Sequence, residues 1–246
     1  METYFNIAME FDKHKVDEAI ESAIRNSNAG YVCVVNANII ATAERDPFYK
    51  KVVNGALVNI CDGSIVALVL SIVNLKKYTP YIGADLFIYY IKYHQYYRYL
   101  FLGSDIETLD GLREYLIKFY PNIQESIFLP LPFMENPEDF NYEQISLVIN
   151  DNKPDIIFVC LGAPKQEYFM FHLKPHLKKG IMFGVGAVFS FYSGSQKLKR
   201  APLCFRLLKL EWLYRIYQEP RRLKKRFKQE LFTMTKLSFN ELLNKK

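Results

Sequence analysis

The sequence contains few cysteines and no long apolar run. Its cysteines, Cys33, Cys61, Cys160 and Cys204, lie far apart and form no Cys-x-x-Cys pair. This spacing argues against a disulfide framework and against a cysteine-based zinc site. The longest largely apolar run, Ile65–Val73, is too short to span a bilayer. We therefore expect a reducing, cytoplasmic environment and, at most, a peripheral contact with a membrane.

Other common signals are also missing. The first residues show no charged-then-apolar signal pattern, and the chain contains neither an internal repeat nor a low-complexity tract. There is no Asp-x-Asp clamp for a metal ion. His172 and His176 are four residues apart, but Pro175 lies between them and no acidic partner occupies a zincin position. The sequence therefore predicts no metal site.

Positive charge is confined to one end of the chain. Residues 196–246 contain 15 Lys or Arg and 4 Asp or Glu, which gives a net charge of +11. The whole chain carries +6, so residues 1–195 carry −5. Aromatic and aliphatic side chains are interleaved with the basic ones. Such a segment is typical of contact with an anionic membrane or with nucleic acid, and a lysine-rich but merely solvated helix face is the alternative.

Strand and helix patterns alternate through the acidic part of the chain. The buried-strand signals lie at residues 31–35, 56–60, 97–102, 155–161 and 180–185. Helical patterns separate them, which predicts an α/β fold with a Rossmann-like, mainly parallel sheet flanked by helices. We expect a catalytic domain over residues 1–195 and a basic, amphipathic helical appendage over residues 196–246. Ligands of such sheets bind outside the carboxyl ends of the strands.

Two polar residues follow predicted strands directly. Asp62 lies at a strand end, before Gly63 and a predicted helix. A carboxylate in this place can take a proton from a substrate hydroxyl as a general base, whereas an ordinary turn aspartate would bind local backbone amides. Asn36 follows the first predicted strand and could bind sugar hydroxyls, or could simply complete a turn.

Two glycine-containing turns are candidates for ligand binding. The turn from Gly162 to Glu167 places backbone amides at a helix start, where the helix dipole attracts a diphosphate. Within it, Gln166 and Glu167 could contact the nucleotide or the sugar. The turn from Gly184 to Gly186 permits close approach of a ligand, or serves only tight packing of the sheet.

These features occur together with other short motifs in a fixed order. The set is Val35-Asn-Ala37, Asp46-Pro47, Asp62-Gly63, Gly83-Ala-Asp-Leu86, Gly103, Gly162-x-Pro164-x-Gln166-Glu167, Gly184-Val-Gly-Ala187 with Phe189, Arg200-Ala-Pro202, Glu211-Trp-Leu-Tyr-Arg215 and Gln218-Glu-Pro-Arg-Arg222. From about Tyr31 to Phe227 the chain resembles the WecG/TagA/CpsF family of bacterial glycosyltransferases. The C-terminal string is the most specific part of this resemblance.

The resemblance implies an activity and a place of action. Members of the family transfer a sugar from a UDP-sugar to a polyprenyl-diphosphate-linked sugar at the cytoplasmic membrane face, with inversion of the anomeric centre. They act in the synthesis of teichoic acid, capsule and exopolysaccharide. The sugar here would be an N-acetylmannosamine-type hexosamine, its uronic acid or a hexose. The resemblance further implies a peripheral protein on the inner leaflet, a possible homo-oligomer, and no cofactor.

The resemblance also assigns roles to residues. Asp62 corresponds to the general base, Asn36 to a sugar ligand, and Gln166 to a residue beside the nucleotide diphosphate. The other residues expected to bind substrate are Asp85, Gly103, Gly162, Pro164, Glu167, Gly184, Gly186 and Ser190. The residues expected to engage the lipid diphosphate and the membrane are Arg200, Arg206, Arg215, Arg221 and Arg222.

Three positions depart from the family pattern, and two other functions follow from the sequence. Val34, Pro80 and Ser190 stand where many members have Thr, Arg and Asp. A catalytically inactive, membrane-associated scaffold of the same fold is therefore one alternative. A basic nucleic-acid-binding protein is the other, but the aromatic residues show no RNP-like or helix-turn-helix arrangement, so we expect no nucleic-acid partner.

Overall fold

The computed structural model describes residues 1–194, 199–208 and 210–243, and of Arg222 and Lys225 the backbone alone. The strands are β1 (Glu2–Tyr4), β2 (Ile7–Met9), β3 (Ala29–Val35), β4 (Val58–Cys61), β5 (Tyr99–Leu102), β6 (Ile127–Leu129), β7 (Ile156–Val159) and β8 (Gly180–Gly184). The helices are α1 (Lys13–Arg25), α2 (Ala37–Arg45), α3 (Pro47–Asn54), α4 (Ser64–Asn74), α5 (Gly83–Tyr93), α6 (Ile106–Phe119), α7 (Tyr142–Asn152), α8 (Lys165–Leu173), α9 (Val188–Tyr192), α10 (Leu203–Leu207), α11 (Glu211–Gln218) and α12 (Pro220–Leu243). Short 3-10 turns lie at Pro121–Ile123, Pro137–Asp139 and Lys174–His176.

Six strands form one sheet in the order β4-β3-β8-β7-β5-β6, and every neighbouring pair is parallel. The strands β1 and β2 form a separate antiparallel hairpin. Every residue of β4, β5, β7 and β8 is buried, as expected for parallel strands with helices on both faces. The predicted α/β, Rossmann-like parallel sheet is confirmed.

Each face of the sheet carries its own hydrophobic core. Along β3, Cys33 and Val35 face one core while Val32 and Val34 face the other, because successive side chains of a strand point to opposite sides. Helices α2, α3, α4, α7, α8 and α12 cover the first face. Helices α1, α5, α6 and α9 cover the second. The sheet is therefore a rigid platform whose strand ends are fixed by packing on both sides.

The basic C-terminal segment contributes to the first of these cores. Helix α12 packs against α2 and α4, and its Met234 and Leu237 are buried among the residues of that core. The predicted boundary between residues 195 and 196 lies outside the described residues. None of the helices that the structure describes combines the length and apolar character needed to cross a membrane.

Candidate active site

The carboxyl edge of the sheet brings the predicted site residues together. Asp62 follows β4, Asn36 follows β3, and the turn at Gly184 ends β8. Gly162 and Gly103 follow β7 and β5, so the five positions belong to five neighbouring strands. Because all these strands are parallel, their turns share one edge, which is where ligands of such sheets bind.

Asp62 is half-buried, and its hydrogen bonds hold it in place. Its backbone N–H donates to the carbonyl of Val35 (2.7 Å), which extends the β3–β4 pairing by one step. Its Oδ1 accepts a hydrogen bond from the backbone N–H of Gly83 (3.0 Å), the first residue of α5. The side chain of Asn36 also forms a hydrogen bond with this carboxylate. The sequence placed Gly83 in a short motif but predicted neither helix α5 nor the contact of Gly83 with Asp62.

The surroundings of Asp62 raise the pKa of its carboxyl. Burial is the largest cause, and the pKa reaches about 6. The negative charges of Glu211 and Asp85 act in the same direction, whereas hydrogen bonds from Gly83 and Asn36 lower the pKa. Such a carboxyl is ionised at neutral pH and binds a proton more readily than an exposed aspartate, which suits a general base.

Asn36 caps helix α2. Its Oδ1 accepts hydrogen bonds from the backbone N–H groups of Asn38 (3.0 Å) and Ile39 (3.3 Å). The oxygen of its amide is thus engaged in turn chemistry, while its side chain also lowers the pKa of Asp62 through a hydrogen bond. The cap fixes Asn36 beside the carboxylate. Contact of its side chain with a sugar stays a prediction.

Gln166 and Glu167 are buried, and their side chains contact other parts of the protein. The Nε2 of Gln166 donates to Glu167 Oε1 (2.7 Å) and to the carbonyl of Gly184 (3.3 Å), and its Oε1 accepts from the N–H of Gly186 (2.9 Å). Glu167 Oε2 accepts from the hydroxyl of Tyr49 (2.8 Å). Burial raises the pKa of Glu167 to about 7 against the effect of these hydrogen bonds. Both side chains therefore support the turn that follows β8.

The glycines at this edge have different reasons for being glycine. A Cβ at Gly103 would lie 2.9 Å from the carbonyl oxygen of Cys160, and one at Gly184 would lie 2.8 Å from the Cε of Met170. At these two positions glycine is needed because a side chain would not fit. A Cβ at Gly162 or Gly186 would meet no atom of the described residues within 4 Å, and both residues have positive φ angles, 76° and 62°. Their backbone is therefore open to a ligand.

Two other predicted residues lie in or directly before helices at this edge. Pro164 is exposed at the N-terminus of α8, after a cis peptide bond with Ala163. Ser190 lies in the short helix α9 directly after the Gly184–Gly186 turn, and it is half-buried. Both are at the carboxyl edge. Their contact with substrate stays a prediction.

Arg200 links the C-terminal segment to this edge. Its guanidinium forms an ion pair with Asp85 in the first turn of α5 and donates to the hydroxyl of Tyr192 (2.9 Å). Burial raises the pKa of Glu211, and Arg200 and Arg206 lower it through their charge. Since Glu211 also raises the pKa of Asp62, these charged groups lie in one electrostatic neighbourhood with the candidate base.

The five arginines predicted to engage the lipid diphosphate have different surroundings. The Nε–H groups of Arg200 and Arg206 are buried and have no hydrogen-bond partner among the described residues. Arg215 pairs with Glu219 (3.4 Å) and lies over the ring of Phe191.

The remaining two arginines lie at the start of α12. Arg221 is exposed, and the side chain of Arg222 lies outside the described part of the chain. Arg200 and Arg206 therefore have buried donors that can serve an anion.

The part of the chain that the structure describes contains no group of three or more His, Cys, Asp or Glu arranged to hold a metal ion. His172 and His176, which the sequence singles out, both lie against the ring of Tyr142.

Comparison with known proteins identifies the family. The sequence profile of the Glycosyl transferase WecG/TagA/CpsF family matches residues 5–246. The chain belongs to this family. It is therefore a glycosyltransferase, as the motifs predicted, and the match runs through α12, so the basic C-terminal helices lie within the family's extent.

Curated relatives agree with this assignment. A protein of Bacillus subtilis (strain 168) is 27% identical over 240 residues, which cover 96% of this chain and 86% of the relative. Proteins of Staphylococcus aureus strains MW2 and NCTC 8325 / PS 47 are 25% and 26% identical, over 88% and 85% of this chain and 85% and 82% of the relatives. All three are named N-acetylglucosaminyldiphosphoundecaprenol N-acetyl-beta-D-mannosaminyltransferase.

Proposed function

We propose that the protein transfers a sugar from a UDP-sugar to a polyprenyl-diphosphate-linked sugar, with Asp62 as the general base. The observation that carries this proposal is the setting of Asp62 at the carboxyl edge. One oxygen is held by Gly83, burial raises the pKa to about 6, and the buried donors of two arginines belong to the same electrostatic neighbourhood.

The acceptor hydroxyl is a poor nucleophile until its proton is removed. Asp62 takes this proton on the carboxylate oxygen that Gly83 does not bind. The oxygen of the acceptor then forms a bond to the anomeric carbon of the donor sugar, and the bond to the β-phosphate oxygen breaks. UDP leaves with the electron pair. One displacement of this kind inverts the anomeric centre.

The departing diphosphate gains negative charge that must be stabilised. Open backbone at Gly162 and Gly186, and the N-terminus of α8, supply N–H donors and the positive end of a helix dipole. Arg200 and Arg206 supply buried Nε–H donors. Donors fixed in place before the reaction stabilise such charge without the cost of reorganisation. We propose that no metal ion is needed, and the rate should be the same in EDTA.

The names of the relatives suggest which candidate substrates to test first. They indicate N-acetylmannosamine as the first donor sugar to test and N-acetylglucosaminyl-diphospho-undecaprenol as the first acceptor. The uronic acid of the hexosamine and the hexoses follow. Val34 packs against Gly83 beside Asp62, where many family members have Thr, so the donor sugar of this chain can differ from that of the relatives.

The lipid-linked acceptor requires contact with a membrane. Leu203, Leu207 and Tyr217 of α10 and α11 are exposed within the basic C-terminal segment, which combines apolar and cationic groups as interfacial helices do. We propose that this segment places the protein on the inner face of the cytoplasmic membrane. No nucleic-acid partner is proposed. Whether the protein forms homo-oligomers is testable by light scattering.

The test is a screen of UDP-sugars with a short-chain prenyl-diphosphate-GlcNAc acceptor, read as release of UDP. Asp62→Asn should lower kcat/KM by about 10² to 10⁴. The matched control is Asp155→Asn. Asp155 precedes β7 at the opposite edge of the sheet and pairs with Lys179 (2.7 Å), so turnover should be retained. Full activity of Asp62→Asn, or transfer of no sugar by the unaltered protein, would refute the proposal.

The pH dependence gives an independent check. Asp62 acts as a base only when ionised, so kcat/KM should rise as the pH passes about 6 and then level off. Because the pKa is raised on folding, ionisation of Asp62 destabilises the folded state as the pH rises from the ordinary value of 3.8 to about 6. Asp62→Asn should therefore raise Tm at neutral pH while it removes activity.

A further inference from the structure

The mechanism above does not use one buried carboxylate at the edge, that of Glu167. The side chain is completely buried, and each of its oxygens accepts one hydrogen bond. Gln166 Nε2 donates to Oε1 (2.7 Å) and the Tyr49 hydroxyl donates to Oε2 (2.8 Å). A buried carboxylate lowers stability unless it is fully hydrogen-bonded, and even then apolar residues can replace it without loss. Its presence here calls for a role other than stability.

The carboxylate determines which way the amide of Gln166 faces. In the observed orientation the amide oxygen accepts from the N–H of Gly186 (2.9 Å), and Nε2 donates to Glu167 and to the carbonyl of Gly184 (3.3 Å). The opposite orientation would place N–H groups against the N–H of Gly186 and an oxygen against two acceptors. An amide group with every partner matched has one orientation, and Glu167 supplies one of the acceptors that select it.

Tyr49 connects this arrangement to helix α3. Its residue is completely buried, and α3 is set by its N-cap Asp46, whose side chain accepts from the N–H groups of Phe48 and Tyr49 (both 3.0 Å). The hydroxyl of Tyr168 on α8 donates to the same aspartate (2.5 Å). These hydrogen bonds join three motifs that are far apart in the sequence, those at Asp46, Gln166 and Gly184. We call this hydrogen-bond network the relay.

We propose that Glu167 and Tyr49 are positioning residues that hold the Gly184–Gly186 turn, through the amide of Gln166, in the conformation that binds the donor diphosphate. The inference rests on the proposed function, which places the UDP-sugar at this edge. The relay leaves one side of Gly186 open to a ligand, since a Cβ there would meet nothing within 4 Å in the part of the chain that the structure describes. The other side of the turn packs closely against the relay, because a Cβ at Gly184 would lie 3.1 Å from Gln166.

Two variants remove parts of the relay with little change of shape. Tyr49→Phe removes the hydroxyl that binds Glu167. Gln166 and Tyr49 donate to different oxygens of Glu167, and Glu167→Gln replaces one of these oxygens by an NH₂ group that cannot accept. The matched control is Tyr31→Phe. Tyr31 is equally buried on the same face of the sheet, but its hydroxyl donates to the carbonyl of Val52 (2.5 Å), outside the relay.

Two measurements on these variants separate positioning from stability. The first is hydrogen exchange at the amide of Gly186, followed by NMR in the absence of substrate. The second is the affinity for UDP, measured by calorimetry. In Tyr49→Phe and Glu167→Gln we expect exchange at Gly186 to be faster by about tenfold. The affinity for UDP should fall by about tenfold as well, because a small displacement of the turn moves its N–H donors out of hydrogen-bonding position for the ligand. Tyr31→Phe should change neither quantity, even though its Tm falls.

The outcomes are distinct. Unchanged exchange at Gly186 in both relay variants would overturn the inference, and so would faster exchange with unchanged affinity for UDP. Equal effects in Tyr31→Phe would show a general loss of rigidity and would also overturn it. If the unaltered protein does not bind UDP, the proposed function fails together with the donor-binding part of the inference. Exchange at Gly186 then still decides whether Glu167 holds the turn.

Discussion

The basic C-terminal segment contains two parts of similar composition and different structure. We call residues 199–218, which include α10 and α11, the cover segment, and we call α12 the anchor helix. None of the residues of α10 and α11 is buried. The anchor helix buries Leu223, Met234 and Leu237, and its Glu241 accepts a hydrogen bond from the backbone N–H of Phe5 (2.7 Å).

The difference shows that charge composition alone does not define a role. The cover segment contacts the site through Arg200 and through the charges of Arg206 and Glu211. The anchor helix contributes to the core on one face of the sheet. Those of its basic side chains that the structure describes are exposed, namely Arg221, Lys224, Arg226, Lys228 and Lys236. We infer that the cover segment serves catalysis and the anchor helix serves stability, which four experiments can test.

The largest expected effect is on stability. Leu237→Ala in the anchor helix should lower the free energy of unfolding by about 2–5 kcal/mol, because it leaves a cavity in the core. The matched control is Leu208→Ala, just after α10. Leu208 is 69% exposed, and its loss should cost less than about 0.5 kcal/mol. Chemical unfolding measures both. Equal losses would show that the cover segment is as firmly packed as the anchor helix.

The second experiment measures activity instead of stability. Arg200→Ala should lower kcat/KM by about 10² with little change in Tm, because it removes a buried donor at the site. Arg226→Ala is the control in the anchor helix. Arg226 is exposed and pairs with Glu230 of the same helix (2.8 Å), and its removal should change kcat/KM by less than about twofold. Turnover that survives the loss of Arg200 would contradict a catalytic role of the cover segment.

The sequence predicted the parts of the fold that local signals define. Helix α6 is one of the helical patterns that separate the predicted strands, and its signals are local, because Asp105 caps it and its apolar residues are regularly spaced. Helix α3 was missed although Asp46 and Pro47 form a start signal that could have revealed it. Helix α5 was missed because Ile82 precedes it without a capping side chain and its aromatic residues mask the helical period.

The site was predictable only as a set of strand ends. The rule for parallel sheets correctly placed Asp62, Gly162 and Gly186 at one edge. The sequence could not show that Tyr49 bonds to Glu167 or that Arg200 pairs with Asp85, because these contacts join residues 118 and 115 positions apart. Their proximity depends on how α3 and α5 pack on the sheet.

The third experiment asks which part meets the membrane. Tyr217 in α11 is 81% exposed and Phe239 in the anchor helix is 63% exposed, whereas Trp212 stacks on Phe227 (5.0 Å between ring centroids). Tyr217→Ser should weaken binding to phosphatidylglycerol-containing vesicles by roughly fivefold, about 1 kcal/mol. Phe239→Ser should leave binding unchanged. The reverse result would make the anchor helix the membrane contact and would contradict the division of roles between the two parts. Sedimentation with vesicles measures it.

The smallest expected effect is a shift in pH dependence. The charge of Glu211 in the cover segment raises the pKa of Asp62, so Glu211→Gln should move the rise of kcat/KM to lower pH and leave its plateau nearly unchanged. Glu230→Gln is the control, since burial likewise raises the pKa of Glu230 but its place is in the anchor helix. A profile that moves equally in both variants would mean that Asp62 responds to the net charge of the protein rather than to the cover segment. A shift confined to Glu211→Gln would place this helix start near the base in solution, because the interaction between two charges weakens as their distance grows.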